Sequence, residues 1–376
     1  MLATPPIWFI LLAFFAALGP LVFIHEYGHY IVGRWFGIGA DTFSIGFGRE
    51  VAGWTDKRGT RWKIGWLPLG GYVKFAGDMD PASMGQGLDK LPPHERLRAF
   101  HGKPVWQRAL VVAAGPVANF LLAILIFAAF IAIYGAPRAP AVVATVLEGS
   151  PAAAAGLRPG DRIISANGSA IDDFTDLTDL TRLRPGEPLR LSYVRDGRAA
   201  DLDVTIATVT EVDRFGQQYR VGRLGIGSGK LVYEKVGALQ LLPEAVKVTG
   251  TVIHGTMVGL WQIITGRRPL TELGGPVKMA QLAGQVASLG PFEFVQLLAF
   301  FSINLGFINL LPVPMLDGGH LALYAVEAAR RRPLGARAQE WLFRGGLAAL
   351  LTLMLVATLN DLSSVGLWQA LGRLLG

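Results

Sequence analysis

His25-Glu26-Tyr27-Gly28-His29 is the stretch of this 376-residue chain best equipped for chemistry. Residues four apart on a helix share a face, so the imidazoles of His25 and His29 can hold one metal ion. Glu26, one position on, would sit near the ion's open coordination site. A carboxylate there can take a proton from water, whose pKa zinc lowers to about 7, and pass it to a leaving amine. All three ionisable residues lie at the end of a long apolar run. Inside a membrane span such groups are costly and functional by default.

Catalytic zinc takes three protein ligands and keeps a fourth position open. The other histidines are His94, His101, His254 and His320, but Asp317 is the preferred third ligand. It lies in Asn309-Leu-Leu-Pro-Val-Pro-Met-Leu-Asp-Gly-Gly-His320. Pro312 and Pro314 remove backbone donors, and Gly318 and Gly319 are expected to loosen the chain. Broken backbone at membrane depth is tolerated only when buried in protein or lining a cavity.

The elements that must position these residues follow from composition. The chain is 51% hydrophobic and 17% charged, so membrane spans plus one soluble module are expected. It has no cysteine, which excludes disulfides and thiolate ligands. Its net charge of +7 does not suggest nucleic acid, because the basic residues cluster beside apolar runs without interleaved stacking aromatics. Four runs are long enough to span: Ile7 to about Val32, Val105 to Tyr134, Phe292 to Leu311 and Leu342 to Leu359. The first has no basic residue before it and no obvious cleavage site, so it reads as a retained span rather than a signal peptide.

Basic residues between Arg34 and Arg108, and from Arg330 to Arg344, place those segments in the cytoplasm by the positive-inside tendency. The N-terminus and the long middle region then face outward. The first and third spans both run outside to inside, which brings His25, His29 and Asp317 toward the cytoplasmic side. Val236 to about Thr265 reads as amphipathic and interfacial, interrupted by Glu244, Lys247 and His254. The alternating segments Thr42–Gly48, Arg61–Trp66 and Tyr72–Phe75 suggest a hairpin that dips into the membrane surface, or an ordinary small sheet packed on the protein.

These residues resemble the site-2 protease family of intramembrane metalloproteases, in particular its bacterial regulator-of-sigma-E protease type. The likeness rests on His25-Glu-x-x-His29 and Asn309-x-x-Pro-x-Pro-x-Leu-Asp317-Gly318, with Gly71-Tyr-Val-Lys-Phe75 and Gly115-Pro-Val-Ala-Asn119 in support. It implies zinc ligands at His25, His29 and Asp317, Glu26 as catalytic acid and base, and Asn309 as a contact to the substrate backbone. Pro312 and Asn304 are further candidates for substrate contact, although Asn304 could instead bond a neighbouring helix. The segment from Gly149-Ser-Pro through Leu-Arg-Pro-Gly-Asp161 to Asn-Gly168 looks like a PDZ domain. Arg223-Leu-Gly-Ile-Gly227 lies at its far end, as a circular permutation would place it.

The resulting expectation is a helical polytopic membrane protein with about four transmembrane helices, an inserted β-rich PDZ domain and a small membrane-associated β-hairpin region. Its segments are 1–36 (first span with the zinc motif), 37–104 (β region), 105–135 (second span), 138–230 (extracytoplasmic PDZ), 236–290 (interfacial), 291–330 (third span with the broken ligand segment) and 340–362 (fourth span). The implied activity is zinc-dependent cleavage of single-span membrane proteins already trimmed on their outer side, in the lipid bilayer of a bacterial inner membrane. Anti-sigma factors and leftover signal peptides are examples of such substrates. The competing readings are a PDZ adaptor with a structural zinc site, which Glu26 argues against, and a metal transporter, which the single compact ligand set argues against.

Overall fold

The computed structural model describes residues 5–77, 96–182, 184–212, 218–229, 232–266, 274–332 and 335–364. His94 and residues 78–95 of the expected β region lie outside these. From the N-terminus the chain forms α1 (Ile7–Trp35), β1 (Ala40–Thr55), β2 (Arg61–Phe75) and α2 (Val105–Tyr134). A β-rich stretch follows, with β3 (Ala136–Arg138), β4 (Val143–Val146), α3 (Pro151–Ala154), β5 (Arg162–Ala166), β6 (Ser169–Ala170), α4 (Phe174–Arg182), β7 (Pro188–Arg195) and β8 (Arg198–Thr205). It ends with β9 (Ala207–Val212), β10 (Gln218–Arg223), β11 (Ile226–Ser228) and β12 (Val232–Glu234). The helices α5 (Ala238–Ile264), α6 (Pro276–Leu289), α7 (Pro291–Leu310), α8 (Asp317–Arg330) and α9 (Ala336–Ser364) complete the described chain.

Apolar segments in lipid must satisfy their backbone internally, which favours helix. Four described helices are long and apolar enough to span: α1, α2, α7 and, over Arg337–Asp361, α9. The 27-residue α5 is not among them, in keeping with its charged interruptions.

The chain divides into two compact units. The first comprises Met1–Phe127, Val246–Thr256 and Thr271–Gly376. In it, the face of α1 carrying Ala13, Phe14, Ala17 and Leu21 packs with Leu297 and Phe301 of α7 and Ala283 of α6. Gly284 permits that approach, since a Cβ there would lie 2.7 Å from Ile10 Cγ1. Asp361 of α9 is fully buried and accepts hydrogen bonds from the backbone N–H groups of Gly275 and Lys278, both 3.0 Å, which satisfies the open start of α6. Val252 and Ile253 of α5 pack against the buried Ala123, Ala299 and Ile303.

Strands β1 and β2 are longer than the sequence pattern suggests. Both bend, so the segment 40–45 is flanked on two sides: Phe43 is level with Trp62 and also with Val73. Glycines permit the bends, and Gly46 and Gly70 adopt φ of 88° and 135°. The segment 71–75 pairs only with 40–45 among the described residues. Val51, Trp54, Ile64 and Trp66 expose large apolar side chains, which suits contact with lipid.

The second unit comprises Ala128–Ala245 and Met257–Leu270, and contains the segment whose sequence resembles a PDZ domain. Its four-stranded sheet has the order β6-β5-β7-β8, and β4 pairs with β11 from the far end of the segment. That pairing gives physical form to the permuted order read from Leu224-Gly-Ile-Gly227. The core holds Val143, Ile163, Leu177, Leu189, Leu191 and Ile206. Ser150 caps α3 by accepting the Ala153 N–H at 3.2 Å. Asp196 and Gly197 both take positive φ, 52° and 77°, in the tight turn between β7 and β8.

Asp161 ties this domain together. It accepts Arg195 Nε and Nη2 at 2.7 Å each and the Arg158 N–H at 2.7 Å. Burial pushes its carboxyl up, but the Arg195 hydrogen bonds, the Arg158 N–H and both guanidinium charges together hold it below its ordinary 3.8. A depressed carboxyl contributes stability that is complete above the ordinary value and is lost as pH falls through the folded value. Asp161→Asn is expected to speed amide hydrogen exchange in β5 and β7 about tenfold at neutral pH, as loss of a charge-assisted hydrogen bond would. The difference from wild type should narrow as pH falls below 3.8. A uniform difference at all pH values would disprove the role of the charge.

Candidate metal centre

His25, Glu26 and His29 lie on the protein-facing side of α1 and are 7–9% exposed. Helix spacing places them on the same side as the buried Leu21 and Val22. Neighbouring α2 comes unusually close. A Cβ on Gly28 would lie 2.4 Å from the Ala114 carbonyl oxygen, and one on Gly115 would lie 2.2 Å from His29 Nε2. Small residues at a helix crossing allow such approach. Here they also leave room for an imidazole.

Asp317 arrives by a different route. Pro312 and Pro314 cannot continue α7, which stops at Leu310. The chain turns through residues 311–316, with Met315 at φ +82°, and helix resumes at Asp317. The broken backbone is therefore the segment before Asp317, and Asp317 itself opens α8. Gly318 and Gly319 do not loosen the chain as expected. Both are buried, and a Cβ on either would lie 2.2–2.3 Å from carbonyl oxygens of Leu310 and Val313. They serve close approach of the first turn of α8 to the preceding turn. Arg108 of α2 then holds α8 by a 2.7 Å ion pair to Glu327 and by lying over the Tyr324 ring at 4.9 Å.

The three candidate donors converge. His25 Nε2 is 3.2 Å from His29 Nε2 and 3.1 Å from Asp317 Oδ2, and His29 Nε2 is 3.5 Å from the same oxygen. Four-coordinate zinc with ligands near 2.0–2.1 Å separates them by roughly 3.3 Å, so the donor triangle has the size of one face of that tetrahedron. Asp317 Oδ2 is buried without a hydrogen-bond partner. His29 Nδ1 donates to the Val111 carbonyl at 2.9 Å, leaving the Nε2 lone pair available. The residues fit a zinc ion. No other group of three metal-ligating side chains occurs among the described residues.

Glu26 and Asn309 line the same cavity as the triangle, whose volume is about 470 Å³. Gly70, Gly71, Tyr72 and Val73 of β2 form part of its wall. Pro312 is exposed and does not line the cavity. Asn304 is also absent from it: its Oδ1 accepts Thr256 Oγ at 3.2 Å and its Nδ2 donates to the Phe300 carbonyl at 2.8 Å. Its amide groups are engaged with α5 and its own helix, which is the neighbouring-helix alternative. His320 lines the cavity outside the triangle, and His101 and His254 take no part in it.

Gly115 and Asn119 belong to the segment Gly115-Pro-Val-Ala-Asn119, whose sequence alone gives neither a role. Asn119 is fully buried, and its Nδ2 lies 3.2 Å from His25 Nδ1.

The model of peptidase family M50 matches residues 13–353. A protein of Agrobacterium fabrum carried under a zinc-metalloprotease name is 47% identical over 358 residues, spanning 94% of this chain and 95% of the relative. Metalloprotease MmpA of Caulobacter vibrioides is 38% identical over 385 residues, spanning 95% of this chain and 96% of the relative. Among solved structures, the PDZ domain of the SdrC-like protein of Listeria monocytogenes aligns over 24% of this chain and 88% of its own, at 21% identity and a TM-score of 0.20.

The crowding at Gly115 makes a sharp test. Gly115→Ala is expected to displace the His29 ring and lower zinc affinity at least tenfold, measured by chelator competition on the purified protein. Unchanged affinity would mean that α1 and α2 are not as close as described.

Proposed function

The chain belongs to peptidase family M50, the site-2 proteases, and is an integral-membrane zinc metalloprotease; on that premise we propose that it cleaves transmembrane segments of single-span membrane proteins already trimmed on their outer side. The observation that carries this reading is that Glu26 and two of the three donors, His25 and His29, lie on a helix long and apolar enough to span a membrane. A soluble protease has no need to keep its acid and ligands within such a helix.

His25, His29 and Asp317 hold the ion. Bound zinc supplies Lewis acidity, making water a nucleophile near neutral pH and polarising the scissile carbonyl. Glu26 accepts the proton of the attacking water and delivers it to the departing amine nitrogen. Asn309, on the cavity wall, offers both a donor and an acceptor to substrate backbone. A transmembrane helix must unwind before water can reach its peptide bond, and its freed backbone groups then need partners. Among the described residues segment 71–75 pairs only with 40–45, and this, with its place in the cavity wall, supports addition of the extended substrate to that strand.

The charge pattern of the sequence supports a bacterial inner-membrane protein with its N-terminus and PDZ domain outside and the zinc centre toward the cytoplasm. Cleavage there releases a cytoplasmic fragment, as in anti-sigma factor processing, or clears remnant signal peptides. The PDZ domain screens the trimmed outer end of the substrate.

Glu26→Gln is expected to keep one zinc per chain and lose cleavage of a single-span reporter roughly 10²–10⁴-fold. Asp317→Asn should lose both zinc and cleavage. Product masses should map the cut within the reporter's apolar segment. Full activity of Glu26→Gln, or a cut confined to soluble regions, would contradict the proposal.

A further inference from the structure

We propose that Asn119 is a positioning residue whose side-chain oxygen accepts the Nδ1 proton of His25 and so presents the His25 Nε2 lone pair to the zinc ion. The proposal rests on the zinc reading above. It begins from a difference between the two histidines. His29 has its Nδ1 proton placed by the Val111 carbonyl at 2.9 Å. The partner of His25 Nδ1 is the Asn119 amide, with Nδ2 3.2 Å away. The same amide's Oδ1 is buried without a partner.

These facts conflict once His25 gives its Nε2 lone pair to a metal. A neutral imidazole has one protonated nitrogen, so a ring ligating through Nε2 carries its proton on Nδ1. An amide amino group facing that proton sets two donors against each other. Half a turn about the Asn119 Cβ–Cγ bond exchanges oxygen and nitrogen with little change in shape. The oxygen then accepts from Nδ1–H and no longer lacks a donor. A zinc-loaded centre selects this orientation.

The surroundings suit that task. Asn119 is fully buried, so solvent cannot take over the acceptor role. Its backbone carbonyl accepts Ser302 Oγ at 2.8 Å, and Ser302 is also fully buried. The hydrogen bond fixes this turn of α2 against α7. Outer partners of ligating histidines commonly set both tautomer and ring orientation. An amide supplies the acceptor without adding a net charge at membrane depth.

The test compares Asn119→Leu and Asn119→Asp in the full-length protein in detergent. Zinc dissociation constants come from chelator competition, and thermal melting of the metal-free forms reports folding. Asn119→Leu should bind zinc about 10–100-fold more weakly with its metal-free melting unchanged. Asn119→Asp, which can only accept when ionised, should hold zinc as tightly as wild type or more tightly. A purely packing role would not separate the two variants this way. Wild-type zinc affinity in Asn119→Leu, or an equal loss in Asn119→Asp, would overturn the proposal while leaving the zinc centre intact. If Asn119→Leu fails to fold, Asn119→Ala takes its place in the comparison with Asn119→Asp. A wild type that binds no zinc would overturn both this proposal and the reading beneath it.

Discussion

Two imidazole nitrogens and a carboxylate oxygen stand 3.1–3.5 Å apart, all three on largely buried side chains. Electron-rich atoms at that spacing repel unless positive charge lies among them, and the low dielectric around them strengthens the repulsion. The surrounding helices are arranged to hold these atoms against it. Gly28 and Gly115 bring α1 and α2 together, and Gly318 and Gly319 fold α8 onto the end of α7. The Arg108–Glu327 pair anchors α8 to α2. The helices therefore supply a rigid frame, and zinc supplies the attraction that makes the frame worthwhile.

Much of this arrangement was legible in the sequence because it depends on local periodicity. Four-residue spacing on a helix, uninterrupted apolar runs and paired prolines are properties of short windows, and they pointed to α1, α2, α7, the break after Leu310 and the PDZ strands. What escaped depends on register between distant helices. Nothing near Gly115 indicates that His29 will occupy the space a methyl would need. Nothing near Asn119 points to His25. Nothing near Asn304 shows that Thr256, from another helix, engages its side chain. The glycine pair after Asp317 is ambiguous in sequence because glycine serves both flexibility and close packing, and only the neighbouring carbonyls distinguish the two.

The turn before Asp317 illustrates how proline and strain can cooperate. Proline ends α7 without any need for a capping side chain, and Met315 absorbs the reversal in a left-handed conformation that costs a side-chain-bearing residue roughly 1–3 kcal/mol. The buried backbone around Gly318 and Gly319 holds that conformation in place. The same short turn thus ends one helix, aims the acid and contributes Met315 to the cavity wall.

The donors come from helices far apart in the sequence: His25 and His29 from α1, and Asp317 from α8. Chains emerge from the ribosome in order, and early parts insert before later ones exist. During biosynthesis, α1 must then wait with an incomplete ligand set until α8 has been translated. The metalloprotease centre is thereby kept incomplete while the later helices are still unmade.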